Sequence, residues 1–299
     1  MNPRAQIRML PDGRRLHFHD GPIDVILEAF GEPCEVERAY RAAGARFATI
    51  LDELCSELTL IREPAHLNSK SPRGPVARRM LDAVLPFCRE TFITPMAAVA
   101  GAVAEELLRE MTSAAALRKA FVNDGGDIAL HLTPGERFAI GLVEIPENPS
   151  LFGATTIHAG DPIRGIATSG WRGRSFSLGI ADSVTVLASH ATLADAAATL
   201  IANAVDLPGH PAVHRVAASD LAPDSDLGTR LVTQRVERLT GNEVKEALDS
   251  GAAAADSFLR RGLIHSAALT LQGVVRTTAP APRLPVAESS VLDRRSVHA

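Results

Sequence analysis

The run Thr94-Pro95-Met96-Ala97-Ala98-Val99-Ala100-Gly101-Ala102-Val103-Ala104 constrains this chain more than any other. Thr94 suits an N-cap and Pro95 suits the first helical position. The residues from Met96 to Ala104 are apolar on every side, so the helix must be buried all round. Its side chains are also very small, which lets another backbone or a ligand approach closely. Gly101 costs about 1 kcal/mol of helix propensity against Ala, so its position is expected to need the space. A chain of 299 residues that is 46% hydrophobic has the material to bury such a helix, in one large domain or two small ones.

The segments on either side supply the layers. Residues Gln6 to Met9 and Arg15 to Phe18 flank the turn Pro11-Asp12-Gly13 and read as a hairpin, with a third strand over Ile23 to Leu27. From Glu35 to about Arg62, apolar residues recur at three- and four-residue spacing, as one helical face requires. A loop from His66 to Pro75 precedes a second helix that runs to about Phe87. Strands are expected over 120–123, 128–132, 138–143, 155–158, 164–168 and 183–188. An alanine-rich helix comes next over Leu193 to Val205, then a loop-like stretch over Pro208 to Gly228. Glu243 to Arg261 reads as a helix capped by Asn242, and Leu263 to Val275 as a closing strand. Pro280, Pro282 and Pro285 with scattered charges make 276–299 an expected disordered tail. Strands and helices are grouped as much as alternated. That favours an α+β or mixed α/β fold, with mixed or antiparallel sheets packed against helices, over a doubly wound parallel sheet.

Charge and composition exclude several classes. Lys and Arg number 31 against 35 Asp and Glu, a net of −4, so no field of one sign points to nucleic acid or to an acidic membrane. Aromatic residues are 4%, too few for a base-stacking platform. Cys34, Cys55 and Cys88 are odd in number and form no CxxC, which fits a reducing compartment. No apolar run approaches ~18 residues and the first thirteen residues do not resemble a signal peptide, so a cytoplasmic protein is expected.

Three segments carry candidate chemistry. Asn123-Asp124-Gly125-Gly126-Asp127 lies between two strands. Its glycines permit positive φ and its amides could cradle a phosphate; a plain hairpin turn is the alternative. Ala167-Thr168-Ser169-Gly170 comes after a strand, where its hydroxyls could hold a phosphate or form an ordinary turn. Asp195 and Thr199 are four apart on a predicted helix, so their oxygens share a face and suit Mg²⁺; Asp195 could equally answer a helix dipole. Asp182, just before a strand, is a possible second carboxylate or a solvated turn residue. His210 and His214 read as surface residues.

Taken in order, these pieces resemble the ApbE-like flavin transferases (FAD:protein FMN transferases). Those show a helix of the type GGIAKGYA, then NVGGDI, ATSG, HIIDPRTG, SVTV and ADALAT. The matching segments here are Pro95 to Ala104, Asn123 to Ile128, Ala167 to Gly170, Ser183 to Val186, and Ala194 to Thr199. They cover residues 90 to 205, and the run from Pro95 to Ala102 resembles an ApbE-like branch apart from the transferases proper. The resemblance implies an ApbE-like single domain over residues 1–275. It places Asn123, Gly125, Gly126, Asp127, Thr168, Ser169 and Gly170 at a flavin-like nucleotide, and Asp195 and Thr199 at Mg²⁺.

Two departures bear on activity. Ala100 stands where the transferases have lysine, and no histidine lies between Trp171 and Asp182, where HIIDPRTG would fall. The transferase's general base therefore has no counterpart. Three functions are expected in turn. The first is binding of a small phosphorylated or flavin-like ligand, with Mg²⁺. The second is altered acid/base chemistry through Asp182, with Lys70, Arg73 or Arg79 on a substrate anion. The third is a non-enzymatic scaffold, a homodimer joined through the helix beginning at Glu35.

Overall fold

The computed structural model describes residues 4–143, 151–278 and 297–298. The first three strands are β1 (Gln6–Met9), β2 (Leu16–Asp20) and β3 (Ile23–Phe30). Helices α1 (Pro33–Ser56), α2 (Leu58–Ile61) and α3 (Pro75–Val84) come next, then a 3₁₀ turn, Pro95–Ala98, leading into α4 (Val99–Ala114). After them lie β4 (Lys119–Asp124), β5 (Asp127–Leu132), β6 (Arg137–Val143), β7 (Leu151–His158), β8 (Gly165–Ser169) and β9 (Ser183–Ala188). The chain continues through α5 (Ala191–Ala204), β10 (Val213–Ala217), α6 (Ala218–Leu221), β11 (Leu231–Val236) and α7 (Gly241–Arg260). It closes with β12 (Ser266–Leu271), β13 (Val274–Thr278) and β14 (Val297–His298).

Nine strands form one sheet in the order β1-β2-β3-β4-β5-β8-β9-β12-β13. Every neighbouring pair in it is antiparallel. This is the α+β arrangement that the grouping of elements predicts. Alternation along the strands divides the core between two faces. Ala120 and Val122 of β4 join Phe47, Ile50, Leu107 and Met111 beneath α1 and α4. Phe121, between them in sequence, turns to the other face and meets Phe138, Ile140 and Ile157 of the β6–β7 hairpin. Under α5 and α7, Val184, Val186 and Leu269 complete the core with Ile201, Leu248 and Phe258.

The small-residue run is a 3₁₀ turn leading into α4, buried at Ala98 and from Gly101 to Ala104 but half-buried at Met96, Ala97, Val99 and Ala100, so it is not enclosed on every side as expected. A Cβ on Gly101 would lie 2.5 Å from the carbonyl oxygen of Ala191 and 2.8 Å from Cα of Thr192. The N-terminus of α5 thus occupies the space that the glycine leaves, and the two helices meet backbone to backbone. Thr94 begins the 3₁₀ turn without a side-chain cap; its hydroxyl donates instead to Asp226.

Several expectations are corrected. The stretch 208–228, read as loop, contains β10 and α6, and β10 pairs with β11 in a separate two-stranded ribbon. Helix α7 is capped by Thr240 rather than Asn242: the Thr240 hydroxyl accepts from the Glu243 amide, and the Glu243 carboxylate accepts from the Thr240 amide at 2.6 Å. The closing strand is a hairpin, turned by Gln272 (φ 46°) and Gly273 (φ 80°). Helix α1 stops at Ser56, and its apolar face of Ala39, Ala43, Phe47, Ile50 and Leu54 is buried within the chain. This apolar face lines the chain's own core. Strand β13 runs on to Thr278 and Val297–His298 pair with β6; the rest of the expected tail lies outside the described residues.

Candidate functional site

At one end of the sheet the β4–β5 hairpin closes with Asp124 and Asp127 directly opposed, leaving Gly125 and Gly126 as a two-residue loop. Both have positive φ, 63° and 116°, as a tight hairpin of this length requires. The hairpin alternative is thus the local structure. The Gly126 amide is already taken, donating to Asn123 Oδ1 at 2.8 Å. The turn adds a pair of facing carboxylates, both on the helix side of the sheet. No heavy atom lies within 4 Å of a Cβ built on Gly126, so the turn is open outward there.

A third carboxylate arrives from α5. Asp195 Oδ2 accepts the Gly101 amide of α4 at 3.0 Å, and the carboxylate also accepts from the Ala100 amide. Helix α4 has no side-chain cap of its own, since Ala98 precedes it. Asp195 supplies that cap from a position 94 residues along the chain. The dipole it answers is that of α4, not of its own helix.

Asp127 Oδ1 accepts the Thr168 amide at 3.2 Å. The β5–β8 ladder consists of only two pairs, Ile128↔Ile166 and Ala129↔Gly165, so this side chain takes over where the ladder stops. Thr168 Oγ1 meets Thr185 Oγ1 at 2.9 Å on the neighbouring strand. Ser169 is half-buried at the end of β8. Gly170 is dictated by close approach: a Cβ there would lie 2.4 Å from the Asp182 carbonyl oxygen.

The three aspartates are buried, at 6%, 8% and 9% exposure, and little positive charge compensates them. Burial pushes the Asp124 carboxyl up to about 7; the charges of Asp195 and Asp24 add to the rise, while the Asp24 amide and Arg174 oppose it. Asp127 is raised well above the usual carboxylate range by burial and by the charges of Asp195 and Asp124. Asp195 is raised by burial against the pull of its two amides. The cation at hand is Arg174, an exposed residue whose Nη1 stands 3.5 Å from a Cβ built on Gly125 and whose Nη2 donates to the Pro22 carbonyl.

Asp182 is placed differently. Its Oδ1 accepts from Arg172 Nε at 2.6 Å and Trp171 Nε1 at 3.2 Å, and its Oδ2 accepts the Gln272 amide at 2.5 Å. Both oxygens are engaged in tying the 171–182 loop to the β12–β13 turn, a structural arrangement rather than that of a free acid/base. Thr199 is half-buried one turn beyond Asp195, and its hydroxyl has no hydrogen bond among the described residues. His190 is exposed, its Nδ1 3.8 Å from Glu105.

Among the described residues, no group of three or more His, Cys, Asp or Glu side chains converges to hold a metal by itself. The oxygen chemistry of Asp127 and Asp195 nevertheless suits Mg²⁺, which is commonly held by one or two carboxylates and completed by ligand phosphates. Sequence reasoning passed over Asp124, Asp24 and Arg174 as site residues. For Asp124 the signal was present: Asp-Gly-Gly-Asp in a two-residue hairpin must face its two acids across the turn.

Comparison with known proteins agrees with this architecture. The family model described as AbpE bacteria matches residues 7–277. A UPF0280 protein of Methanosarcina acetivorans is 32% identical over 188 residues, which cover 61% of this chain and 70% of that protein. A UPF0280 protein of Methanothermobacter thermautotrophicus is 37% identical over 152 residues, 49% of this chain, and the match spans only 57% of that relative's length. The crystal structure of the ApbE protein of Thermotoga maritima aligns over 91% of this chain and 96% of its own, with a TM-score of 0.51 and 14% identity, a likeness of fold alone. With its family model matched from the first strand to the last strand of the nine-stranded sheet, the chain belongs to the ApbE-like family described as AbpE bacteria.

Proposed function

We propose that the protein binds a phosphorylated, flavin-like nucleotide at the end of the sheet marked by Asp124, Asp127 and Asp195, with Mg²⁺ shared between the ligand phosphates and the carboxylates of Asp127 and Asp195. The observation that carries this reading is charge imbalance. Three buried acids stand together with one exposed arginine beside them. Buried carboxylates without a counter-charge are neutralised by protons or by a cation. A divalent ion with a phosphate ligand supplies the missing charge and satisfies the usual coordination of Mg²⁺. Thr199, one helical turn on from Asp195, offers a further hydroxyl on that side of α5. The open Gly125–Gly126 turn leaves room for the ligand, and Arg174 is available to its outer phosphate oxygens.

The reading stops at binding. The ApbE-like histidine segment has no counterpart between Trp171 and Asp182, and Asp182 has both oxygens engaged. Thermal unfolding with FAD, FMN or ADP, each with and without Mg²⁺, tests the proposal. A ligand that binds the folded chain alone raises the midpoint by mass action. The expected result is stabilisation that needs both nucleotide and Mg²⁺ and disappears in Asp127→Asn and Asp195→Asn. No shift with any nucleotide at millimolar concentration overturns it.

A further inference from the structure

We propose a second binding site, in the cleft bounded by α1, α3 and α4, for a small organic anion whose phosphate or carboxylate meets Lys70 and Arg73. The cleft has a volume of about 850 Å³. That lies within the range of roughly 300–1,000 Å³ in which small-molecule sites fall. It is separate from the sheet-end acids. Gly101 of α4 receives Asp195, whereas the cleft is walled by Glu106 and Arg109 of the same helix. Five to eight residues of helix separate them, roughly 8–12 Å along its axis.

The wall is tied together by ion pairs and its carboxylates are already engaged. Glu106 is fully buried and accepts from Arg46 at 2.8 Å, Arg79 at 3.0 Å and Arg109 at 3.1 Å. Glu53 pairs with Arg46 at 2.7 Å. Glu57 accepts the backbone amides of Arg73 and Gly74 at 2.6 and 2.7 Å, which occupies the N-terminus of α3 and pins the loop that carries Lys70 and Arg73. Those two side chains form no hydrogen bond or ion pair among the described residues, although both line the cleft. Four cations (Arg46, Lys70, Arg73 and Arg109) and three carboxylates (Glu53, Glu57 and Glu106) line the cleft, an excess of one positive charge, and Lys70 and Arg73 are the cations whose side chains are left without a partner among the described residues. The hydroxyls of Ser56, Thr59 and Ser71 also line it. A guanidinium and an ammonium facing the same space suit an oxyanion, which takes charge-assisted hydrogen bonds from both.

Calorimetric titration of the full chain in resin-treated, metal-free buffer, with inorganic phosphate, pyrophosphate and citrate as probes, tests this. Without metal, any Mg²⁺-dependent binding at the sheet end is absent, so the two sites are read apart with no chelating carboxylate competing for the cleft. Saturable binding of at least one probe is expected, weakened at least about tenfold in Lys70→Ala/Arg73→Ala and unchanged in Asp127→Asn. Phosphate or pyrophosphate binding with no response to citrate identifies a phosphorylated ligand; the reverse identifies a carboxylate. Both substituted side chains are exposed, so the variant is expected to unfold at the parent's temperature, and Arg73→Glu provides a second variant of opposite charge. The proposal is overturned if no probe binds at millimolar concentration, or if binding survives both variants undiminished.

Discussion

Helix α4 links two groups of buried acids that are compensated in opposite ways. Toward its middle, Glu106 is wholly buried and receives three arginines, and these hold its carboxyl down to about 2 against the cost of burial. At its N-terminus, Asp195 and its neighbours Asp124 and Asp127 are almost as buried, yet their carboxyls are driven upward. Burial acts in the same direction at both places. The difference is the supply of counter-charge: Arg46, Arg79 and Arg109 at one, four backbone amides and the single exposed Arg174 at the other. The first group is electrostatically complete as folded. The second is complete only with protons or with a cation from outside, and that contrast is why the sheet end, rather than the larger buried cluster, is read as the nucleotide site.

The largest expected effect tests the complete cluster. Glu106→Ala leaves three guanidiniums converging on an uncharged space, and breaking a buried pair in this way costs about 3–5 kcal/mol. Urea unfolding should show a loss near the lower figure, since Arg79 and Arg109 are partly exposed and can turn to solvent. A loss below about 1 kcal/mol would mean that the arginines are not organised by Glu106, and the contrast between the two groups would disappear.

Gly101→Ala should come second at about 1–3 kcal/mol, despite alanine's better helix propensity. Its new methyl would press on the Ala191 carbonyl and part α4 from α5 at the point where Asp195 holds the α4 amides. Chemical denaturation measures the loss. A stabilised variant would show that the two helices have room to separate, and that Asp195 is not fixed by their contact.

Asp124→Asn should act with the opposite sign. The folded carboxyl titrates at about 7 against 3.8 when unfolded, so the folded chain holds a proton across that interval and the unfolded chain does not. Its contribution to stability is therefore greatest below the unfolded value and is lost as pH rises toward 7. An amide carries no such titration. The variant should match the parent near pH 4 and exceed it at pH 8, in EDTA, by on the order of 2 kcal/mol. Equal pH dependence of parent and variant would show that Asp124 is solvated. Added Mg²⁺ should stabilise the parent more at pH 8 than at pH 5, because it competes with protons for the same oxygens.

Much of the fold was legible from local pattern, while the pairing of distant groups was not. The strands around Pro11-Asp12-Gly13, helix α1 and the strands 120–132 can be read from two- and three-to-four-residue periods alone. Gly101 announced a close approach, though not that Ala191 would be the neighbour. The β10 strand was hidden because Pro208, Gly209 and Pro211 outweigh the short run Val213–Ala217, and its partner Leu231–Val236 lies beyond another glycine. The cap of α4 could not be found near Thr94, since the carboxylate that serves it comes from α5. Glu106 gave no sign either: Glu105-Glu106 in a helix reads as a solvated acidic pair until Arg46 and Arg79 are brought to it from two other helices.

The smallest expected effect separates positioning from binding. Asp182 sits near Gly170 at the edge of the same sheet end, but it resembles Glu106 more than Asp195: Arg172 pairs with it at 2.6 Å, and Trp171 and the Gln272 amide complete its acceptors. The Gln272 amide belongs to a residue held at φ 46°, a conformation a non-glycine side chain tolerates poorly without such support. Asp182→Asn keeps an oxygen for only part of this set and loses the charge that holds Arg172, whose side chain is 41% exposed. A loss of about 1 kcal/mol is expected in denaturant unfolding. The Mg²⁺- and nucleotide-dependent rise in unfolding temperature should be as large as in the parent. Were that rise abolished while the fold persisted, Asp182 would belong with the sheet-end acids, and the boundary drawn between the two kinds of buried carboxylate would have to move to include it.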